Sequence, residues 1–313
     1  MEEANPRAGG LVLTLFATAV TIGGANFLAV RFSNRDLDPF WGAGLRFTLA
    51  ATLFVIIALV LRLPWPRGRQ LGLNMVYGLF SFALFYALMY WALLQVTAGV
   101  ATVVLAIVPL VTSLLAAMQR LERLSIRALI GSLLALAGIA WTAVAPGEVV
   151  LPITALLAMV AAAVCVGQGV IVSKKLSGNH PAMTNAVALS TGSLALLAFS
   201  ALSGEVWVLP SQPEAVWSLV YLVTIGSVGL FILALLVVRQ WTASATSYMF
   251  VLFPVVTMLL GAGLADEPVT IHGAVGALLV MAGVWFGVLS PAARGVPAPV
   301  SLKAARTSVL ETG

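Results

Sequence analysis

One segment of this chain, residues 95–141, occurs twice. Shifted by 145 positions it aligns with residues 240–286 without a gap, and about a third of the positions are identical. The matched pairs include a proline, a glutamate and a glycine: Pro109 and Pro254, Glu122 and Glu267, Gly131 and Gly276. An apolar composition produces chance Leu and Ala matches, but not these residues in one register. Self-similarity at a fixed offset therefore indicates two copies of one structural unit.

The chain is too apolar to fold with a surface covered by water. Of its 313 residues, 61% are hydrophobic and 9% are charged, whereas soluble domains carry about 25% charged residues. Ten apolar segments approach the length of about 20 residues that a spanning helix needs. They lie at 11–31, 40–62, 72–92, 97–119, 127–144, 152–173, 181–203, 216–237, 243–264 and 270–290. The sequence thus predicts an all-α integral membrane protein with ten transmembrane helices.

The distribution of basic residues orients the predicted helices, because short loops rich in Lys and Arg stay in the cytoplasm. With a cytoplasmic N-terminus, most basic loop residues are cytoplasmic and the acidic loop residues lie outside. Each half has five helices, an odd number, so the two halves run through the membrane in opposite directions. The matched loops agree, since one carries Arg120, Arg123 and Arg127 and the other Ala265, Pro268 and His272. Such inverted-topology repeats occur in many secondary transporters, whose solute site lies near the middle of the membrane.

The predicted organisation has four parts. A cytoplasmic N-terminus at 1–10 precedes a five-helix repeat at 11–145, a second, inverted repeat at 146–290 and a disordered cytoplasmic tail at 291–313. The first helix is expected to be retained rather than cleaved as a signal peptide, because Glu2 and Glu3 replace the positive residues that begin such a peptide. We predict a multi-pass protein of the bacterial inner membrane with both termini in the cytoplasm.

Sequence motifs of enzymes are absent. The chain has no G-x-x-x-x-G-K-[ST], H-E-x-x-H or G-x-S-x-G motif. Its single cysteine, Cys165, excludes an intramolecular disulfide and a multi-cysteine metal site. The net charge of +5 lies in loops and not on a soluble domain, so it does not indicate nucleic-acid binding. We predict a protein without catalytic activity, cofactor or metal, whose partners are the lipid bilayer and a small solute; the oligomeric state stays open.

Two prolines occupy matching positions near the middle of the fourth and ninth predicted helices. Pro109 and Pro254 each remove a backbone hydrogen bond and free the carbonyl four residues earlier. One interpretation is a pair of hinges along the solute pathway. The other is a pair of packing kinks, since proline is common in membrane helices.

Arg46 is the only charged residue inside a predicted span, away from the span ends. Such residues cost about 3 kcal/mol or more to insert and are candidates for function. Arg46 could hold a substrate carboxylate, or it could bond helix-end carbonyls or the loop residues Asp36 and Asp38. No Asp or Glu lies inside any predicted span, so a cationic solute would find no counter-charge and a carboxylate proton relay no member. A neutral, apolar or zwitterionic solute remains.

The third predicted helix carries a stripe of aromatic residues, in which Phe82, Tyr86 and Tyr90 are four positions apart. Such a stripe either packs helices together or lines a site for an apolar or aromatic side chain. Polar residues inside the helices are further candidates, although most such residues bond their own helix or a neighbour. The candidate substrate-binding residues are Thr21, Asn26, Arg46, Phe82, Tyr86, Thr102, Gln168, Ser227, Thr246 and Tyr248.

The repeated pattern resembles the EamA-type drug/metabolite transporter superfamily. Its residues in the first half are Ala98, Pro109, Glu122, Gly131 and Ala137-Gly138, and segments 24–27 and 45–47 resemble the same superfamily. The sequence is also similar to the YddG-type bacterial exporters of aromatic and other amino acids. This resemblance implies an inner-membrane secondary transporter that exports amino acids, aromatic or large apolar ones, by alternating access. The alternatives are efflux of other neutral metabolites or drugs, and a structural or sensory membrane protein.

Overall fold

The computed structural model describes residues 6–121, 126–143, 152–176, 178–240, 246, 249–265 and 270–286, which form helices and no strand. The helices are α1 (Pro6–Ser33), α2 (Pro39–Val60), α3 (Gly68–Ala92), α4 (Ala98–Met118), α5 (Ile126–Ala143), α6 (Ile153–Lys174), α7 (Pro181–Ser203), α8 (Pro213–Gln240), α9 (Met249–Leu264) and α10 (Ile271–Val284). Several predicted features lie outside the described residues, namely Glu122, Glu267, Tyr248 and the tail at 291–313.

Within the described residues, seven helices are long and apolar enough to cross a membrane. They are α1 from Leu11 onward, α2, α3, α4, α6, α7 and α8, whereas α9 and α10 are shorter apolar helices. A helix rises about 1.5 Å per residue, so about 20 residues are needed to cross a bilayer core about 30 Å thick. The seven long helices have this length, and α9 and α10 do not. The chain is a multi-pass membrane protein, and the number of ten spans stays a prediction.

The helices pack in pairs that follow the sequence repeat. Helix α2 packs along α7, and α5 packs along α10; each pair joins equivalent helices of the two halves. Helix α1 packs against α8 and α9, and its equivalent α6 packs against α3 and α4. These main contacts between helices therefore recur with the halves exchanged, as expected for two units related by an approximate two-fold axis.

Helices α3 and α8 each contain one π-helical segment, Leu79–Leu84 and Thr224–Gly229. The two segments are 145 positions apart, the same offset as the repeat in the sequence. π-Helical turns are rare and occur frequently at functional sites. These π-helical segments were not predicted from the sequence, because the apolar pattern continues through both of them and neither contains a proline.

The two matched prolines differ in their local structure. Helix α4 is interrupted at Ala106 and Ile107, and Pro109 lies in the first turn of its second part, Val108–Met118. Proline suits this place because its missing N–H would have no partner there. Pro254, in contrast, lies inside α9, which continues from Met249 to Leu264. Only Pro109 therefore marks a break in this conformation, and the role of both prolines as hinges stays a prediction.

At one end of the bundle, carboxylates join the α1–α2 connection to the α7–α8 connection. The Glu205 carboxylate accepts hydrogen bonds from the backbone N–H groups of Phe40 (3.0 Å) and Trp41 (2.6 Å) at the start of α2. The Asp36 carboxylate accepts from the backbone N–H groups of Ser211 and Gln212 just before α8. The α7–α8 connection thus places a carboxylate at the N-terminus of α2, and the α1–α2 connection places one at the N-terminus of α8. Unpaired N–H groups and the helix dipole favour a negative charge at both places.

Further contacts reinforce this junction, which we call the carboxylate latch (Asp36, Asp38 and Glu205 with their N–H partners). Asp38 accepts from the backbone N–H of Val206 at 2.9 Å. The Trp41 and Trp207 rings stack with their centroids 4.9 Å apart. The backbone hydrogen bonds from Gln212 and Ser211 lower the pKa of Asp36, because they stabilise its ionised form.

Two glycines of α3 provide a test of helix packing. A Cβ atom at Gly78 would lie 2.3 Å from the carbonyl oxygen of Ala188 in α7, whereas one at Gly72 would meet nothing within 4 Å. Replacing Gly with Ala in a helix otherwise stabilises it by about 0.5–1 kcal/mol. We expect Gly78→Ala to lower the free energy of unfolding by about 1–3 kcal/mol, because α3 and α7 must move apart.

The matched control is Gly72→Ala, which is expected to leave the stability unchanged or to raise it. The measurement is the thermal unfolding midpoint of the purified protein in detergent, followed by size-exclusion chromatography of heated samples. Equal midpoints for the two variants would contradict the close approach of α3 and α7.

Candidate functional site

A cavity of about 110 Å³ lies between α1, α3, α6, α8 and α9, so both halves of the chain contribute to its wall. Aromatic rings cover much of this wall. They belong to Phe27 of α1, Tyr77, Phe82, Phe85 and Tyr86 of α3, Phe231 of α8, and Phe250 and Phe253 of α9. A cavity with this lining suits a flat apolar or aromatic group, which packs against ring faces and edges.

The rings of the wall hold one another in place. Phe82 and Phe231 meet edge to face across the two halves, with ring centroids 4.8 Å apart. Phe47 of α2 lies behind Tyr86 at 4.6 Å, and Phe85 faces Phe250 at 6.5 Å. Edge-to-face pairs contribute about 0.5–1.5 kcal/mol beyond their burial. The aromatic wall is therefore held together by contacts among its own rings and with Phe47 behind it.

Arg46 lies beside the cavity and is fully buried, with 0% of its surface exposed. Its Nε donates to the Ser227 hydroxyl at 2.9 Å, and its Nη2 donates to the Gly226 carbonyl at 2.9 Å. Its Nη1 donates to the Tyr90 hydroxyl at 3.3 Å. The guanidinium thus joins α2 to α3 and to the π-helical segment of α8.

Two aromatic rings flank the same guanidinium. Its central carbon lies 4.9 Å from the centre of the Phe47 ring and 5.2 Å from that of Tyr86, within the range of cation–π attraction. Since Tyr86 also lines the cavity, its ring lies on the boundary between the arginine and the empty space. Asp36 and Asp38 accept hydrogen bonds within the carboxylate latch instead. Of the partners considered from the sequence, only a backbone carbonyl, that of Gly226, binds Arg46.

Asn26 of α1 reaches the same point of α8. Its Nδ2 donates to the Gly226 carbonyl at 2.9 Å, so one carbonyl oxygen accepts from both Asn26 and Arg46. The Oδ1 atom of Asn26 is buried and has no hydrogen-bond donor among the described residues. A Cβ atom at position 226 would come within 2.4 Å of this Oδ1, so the close approach of α1 to α8 requires glycine there.

The other predicted binding residues fall into two groups. Phe82, Tyr86 and Thr246 line the cavity, as Asn26 does, and Ser227 lies beside it as a partner of Arg46. Thr102 is buried but donates to the carbonyls of Ala98 and Gly99 in its own helix. The structure therefore brings six of the predicted residues to one place, and their role in binding stays a prediction.

Two predicted residues lie away from the cavity. The Gln168 side chain accepts a hydrogen bond from Gln119 Nε2 at 2.7 Å and does not line the cavity. Thr21 is exposed on α1 and donates to the carbonyl of Ala17 one turn earlier. Tyr248 lies outside the described residues.

The contribution of α8 to the aromatic wall was not predicted from the sequence. Phe231 is the residue 145 positions after Tyr86, and the two rings lie 6.4 Å apart on the cavity. The repeat offset, applied to the aromatic stripe of α3, would have identified Phe231. Applied to Ser81, the same offset reaches Gly226, and both positions lie in the π-helical segments.

Comparison with known proteins gives matches across nearly the whole chain. The family profile of EamA-like transporters matches residues 10–144 and again residues 153–289. A protein of Streptantibioticus cattleyicolor described as a probable terminal-alkyne amino-acid exporter is 31% identical over 288 residues, covering 87% of this chain and 91% of that protein. An uncharacterized transporter of Archaeoglobus fulgidus is 28% identical over 276 residues, covering 88% of this chain and 97% of that protein.

A solved crystal structure has the same fold. It superposes with a TM-score of 0.66 over 92% of this chain and 99% of its own, at 22% sequence identity. The two family matches fall on the two halves that the sequence repeat defines. The chain belongs to the EamA-like transporter family of membrane transporters.

Proposed function

We propose that this transporter exports amino acids with aromatic or large apolar side chains by alternating access, with the solute held between its two halves. The observation that carries the proposal is the cavity itself, which combines an aromatic wall with one buried arginine at its edge. Such a wall packs against an apolar side chain, and the guanidinium favours a solute with an anionic group.

The charge around the cavity supports an amino acid over a cationic drug. Arg46 is the only charged side chain among the buried residues that the structure describes. A solute with a net positive charge would be repelled by it, whereas a zwitterion brings its own carboxylate. The similarity to a probable amino-acid exporter supports the same class of solute.

The positions of the cavity and the latch support a closure on the outer side in this conformation. With a cytoplasmic N-terminus and the helix directions proposed from the loops, the carboxylate latch lies on the outer side of the inner membrane. The cavity extends to Ser173 and Val238, next to Lys174 and Arg239 at the cytoplasmic ends of α6 and α8. This arrangement corresponds to a conformation that receives solute from the cytoplasm and is closed toward the outside.

Flux measurements in proteoliposomes test the proposed substrate. We expect labelled tryptophan and phenylalanine to exchange across the membrane faster than methionine, and threonine to be slowest, because the aromatic wall gains most from large rings. Protein-free liposomes are the control. No flux of any of the four amino acids, with or without a pH gradient, would overturn the proposal. Competition by unrelated neutral metabolites, but not by amino acids, would favour the broader efflux function.

Thiol labelling tests the latch as the outer closure. A cysteine at Met89, which lines the cavity one residue before Tyr90, is introduced into a Cys165→Ser background. We expect Asp36→Asn to speed the labelling of Met89→Cys by an impermeant reagent added to intact cells. The reason is that charge-assisted bonds to the N–H groups before α8 are lost.

The control for this labelling experiment is Glu214→Gln, which removes an exposed carboxylate from the first turn of α8 outside the latch. It should leave the labelling rate unchanged. Since the lowered pKa of Asp36 keeps its carboxylate ionised, the latch contribution is present above the ordinary value of 3.8 and is lost only as the pH falls through the lowered pKa. The ratio of the labelling rates with Asp36→Asn and with the intact latch should therefore not change above about pH 5, because the thiolate fraction of the introduced cysteine affects both rates alike. Equal rates for Asp36→Asn and Glu214→Gln would show that the latch does not hold this side closed.

A further inference from the structure

We propose that Asn26 and Arg46 form a receptor for the zwitterionic end of the solute, with Arg46 binding the carboxylate and Asn26 Oδ1 accepting from the ammonium group. This inference rests on the amino-acid transport proposed above. It assigns the two ends of the solute, with the charged end at the Asn26 side of the cavity and the side chain against the aromatic wall.

The positive charge of Arg46 has no counter-ion among its hydrogen-bond partners. Its three hydrogen-bond partners are two hydroxyls and one carbonyl, all of them neutral. A guanidinium has five N–H groups, and these three partners supply no negative charge to any of them. A buried charge without a counter-ion is costly, and a carboxylate that binds the planar guanidinium through both oxygens removes much of this cost.

Asn26 carries an unpaired hydrogen-bond acceptor beside the cavity. This side chain is only 5% exposed, and its Oδ1 has no donor among the described residues. A buried amide oxygen without a partner costs about 1–3 kcal/mol. An ammonium group carries three N–H donors and no acceptor, so it complements Oδ1 where a carboxylate would be repelled.

The Asn26 amide and the Arg46 guanidinium lie close together. Asn26 Nδ2 and Arg46 Nη2 each lie 2.9 Å from the same oxygen atom of Gly226, so the two side chains are neighbours. The ammonium and carboxylate of an amino acid are attached to one carbon atom and require a donor and an acceptor this close together. Asn26 lines the cavity, and Tyr86, whose ring lies 5.2 Å from the guanidinium carbon, lines it as well. Binding of a carboxylate at Arg46 therefore requires the Tyr86 side chain to rotate.

Four compounds with the same indole ring separate the contributions of the two charged groups. Tryptophan carries both groups, tryptophan amide and tryptamine lack the carboxylate, and indole-3-propionate lacks the ammonium. We measure the increase in unfolding temperature of the purified protein as each compound is titrated, which reports binding without requiring transport. Unaltered protein is expected to bind tryptophan about tenfold or more tightly than the other three compounds.

Substitutions then assign each preference to its residue. Arg46→Gln is expected to abolish the preference for tryptophan over tryptophan amide, and Arg46→Lys to retain part of it, because lysine keeps the charge but not the planar fork. Asn26→Leu is expected to abolish the preference for tryptophan over indole-3-propionate. Each variant should leave the other preference in place, which distinguishes recognition from a general loss of structure.

The control variants are Ser227→Ala and Tyr90→Phe, which remove partners of Arg46 but keep the guanidinium. If Arg46 serves only to hold α2 against α8, these variants and Arg46→Gln weaken the binding of all four compounds alike. That result would overturn the inference, as would equal binding of tryptophan and tryptophan amide by the unaltered protein, which needs no variant to fold. Binding of none of the four compounds, together with no amino-acid flux, would instead overturn the proposed function.

Discussion

The structure around the cavity depends on the need of one buried arginine for polar partners. Arg46 lies in an apolar bundle, and the Gly226 carbonyl and the Ser227 hydroxyl of the opposite half supply two of its bonds. Asn26 uses the same carbonyl, so α1, α2 and α8 converge on a single oxygen atom. Apolar helix contacts in a membrane gain little from the hydrophobic effect, because lipid is as apolar as the side chains. Directional hydrogen bonds at this point therefore fix how the first half meets the second.

Much of the fold could be predicted from the sequence because lipid imposes a simple rule. Helices that face lipid must be apolar over a fixed length, so α2 was predicted at 40–62 and begins at Pro39 and ends at Val60. The rule does not say how a backbone behaves inside a span. It therefore missed both π-helical segments, and it treated Pro109 and Pro254 as equivalent although only the former follows a break.

The binding candidates show the same limit in physical terms. Asn26 and Arg46 could be recognised because polar groups inside a span are costly and few. Thr21 and Thr102 could not be distinguished from them in advance. Their hydroxyls donate to carbonyls of their own helices, and the sequence does not indicate whether a threonine does so. Phe231 could have been predicted, because the repeat relates it to Tyr86. Which groups bond to each other across the halves depends on tertiary contacts, and periodicity carries no information about these.

The π-helical segments also bear on the history of the chain. A π turn at the same place in two copies of one unit is most simply a feature of a single ancestral unit that was duplicated, and it then predates the fusion of the halves. A pair of identical ancestral units would have had two equal polar sites. In the first two helices of each half the offset is 142, which relates Pro39 to Pro181, so the position equivalent to Arg46 is Ala188. The Ala188 carbonyl lies 2.3 Å from where a Cβ atom at Gly78 would be. At this place the two copies therefore differ: the first carries a buried charge, and the second makes a close backbone contact.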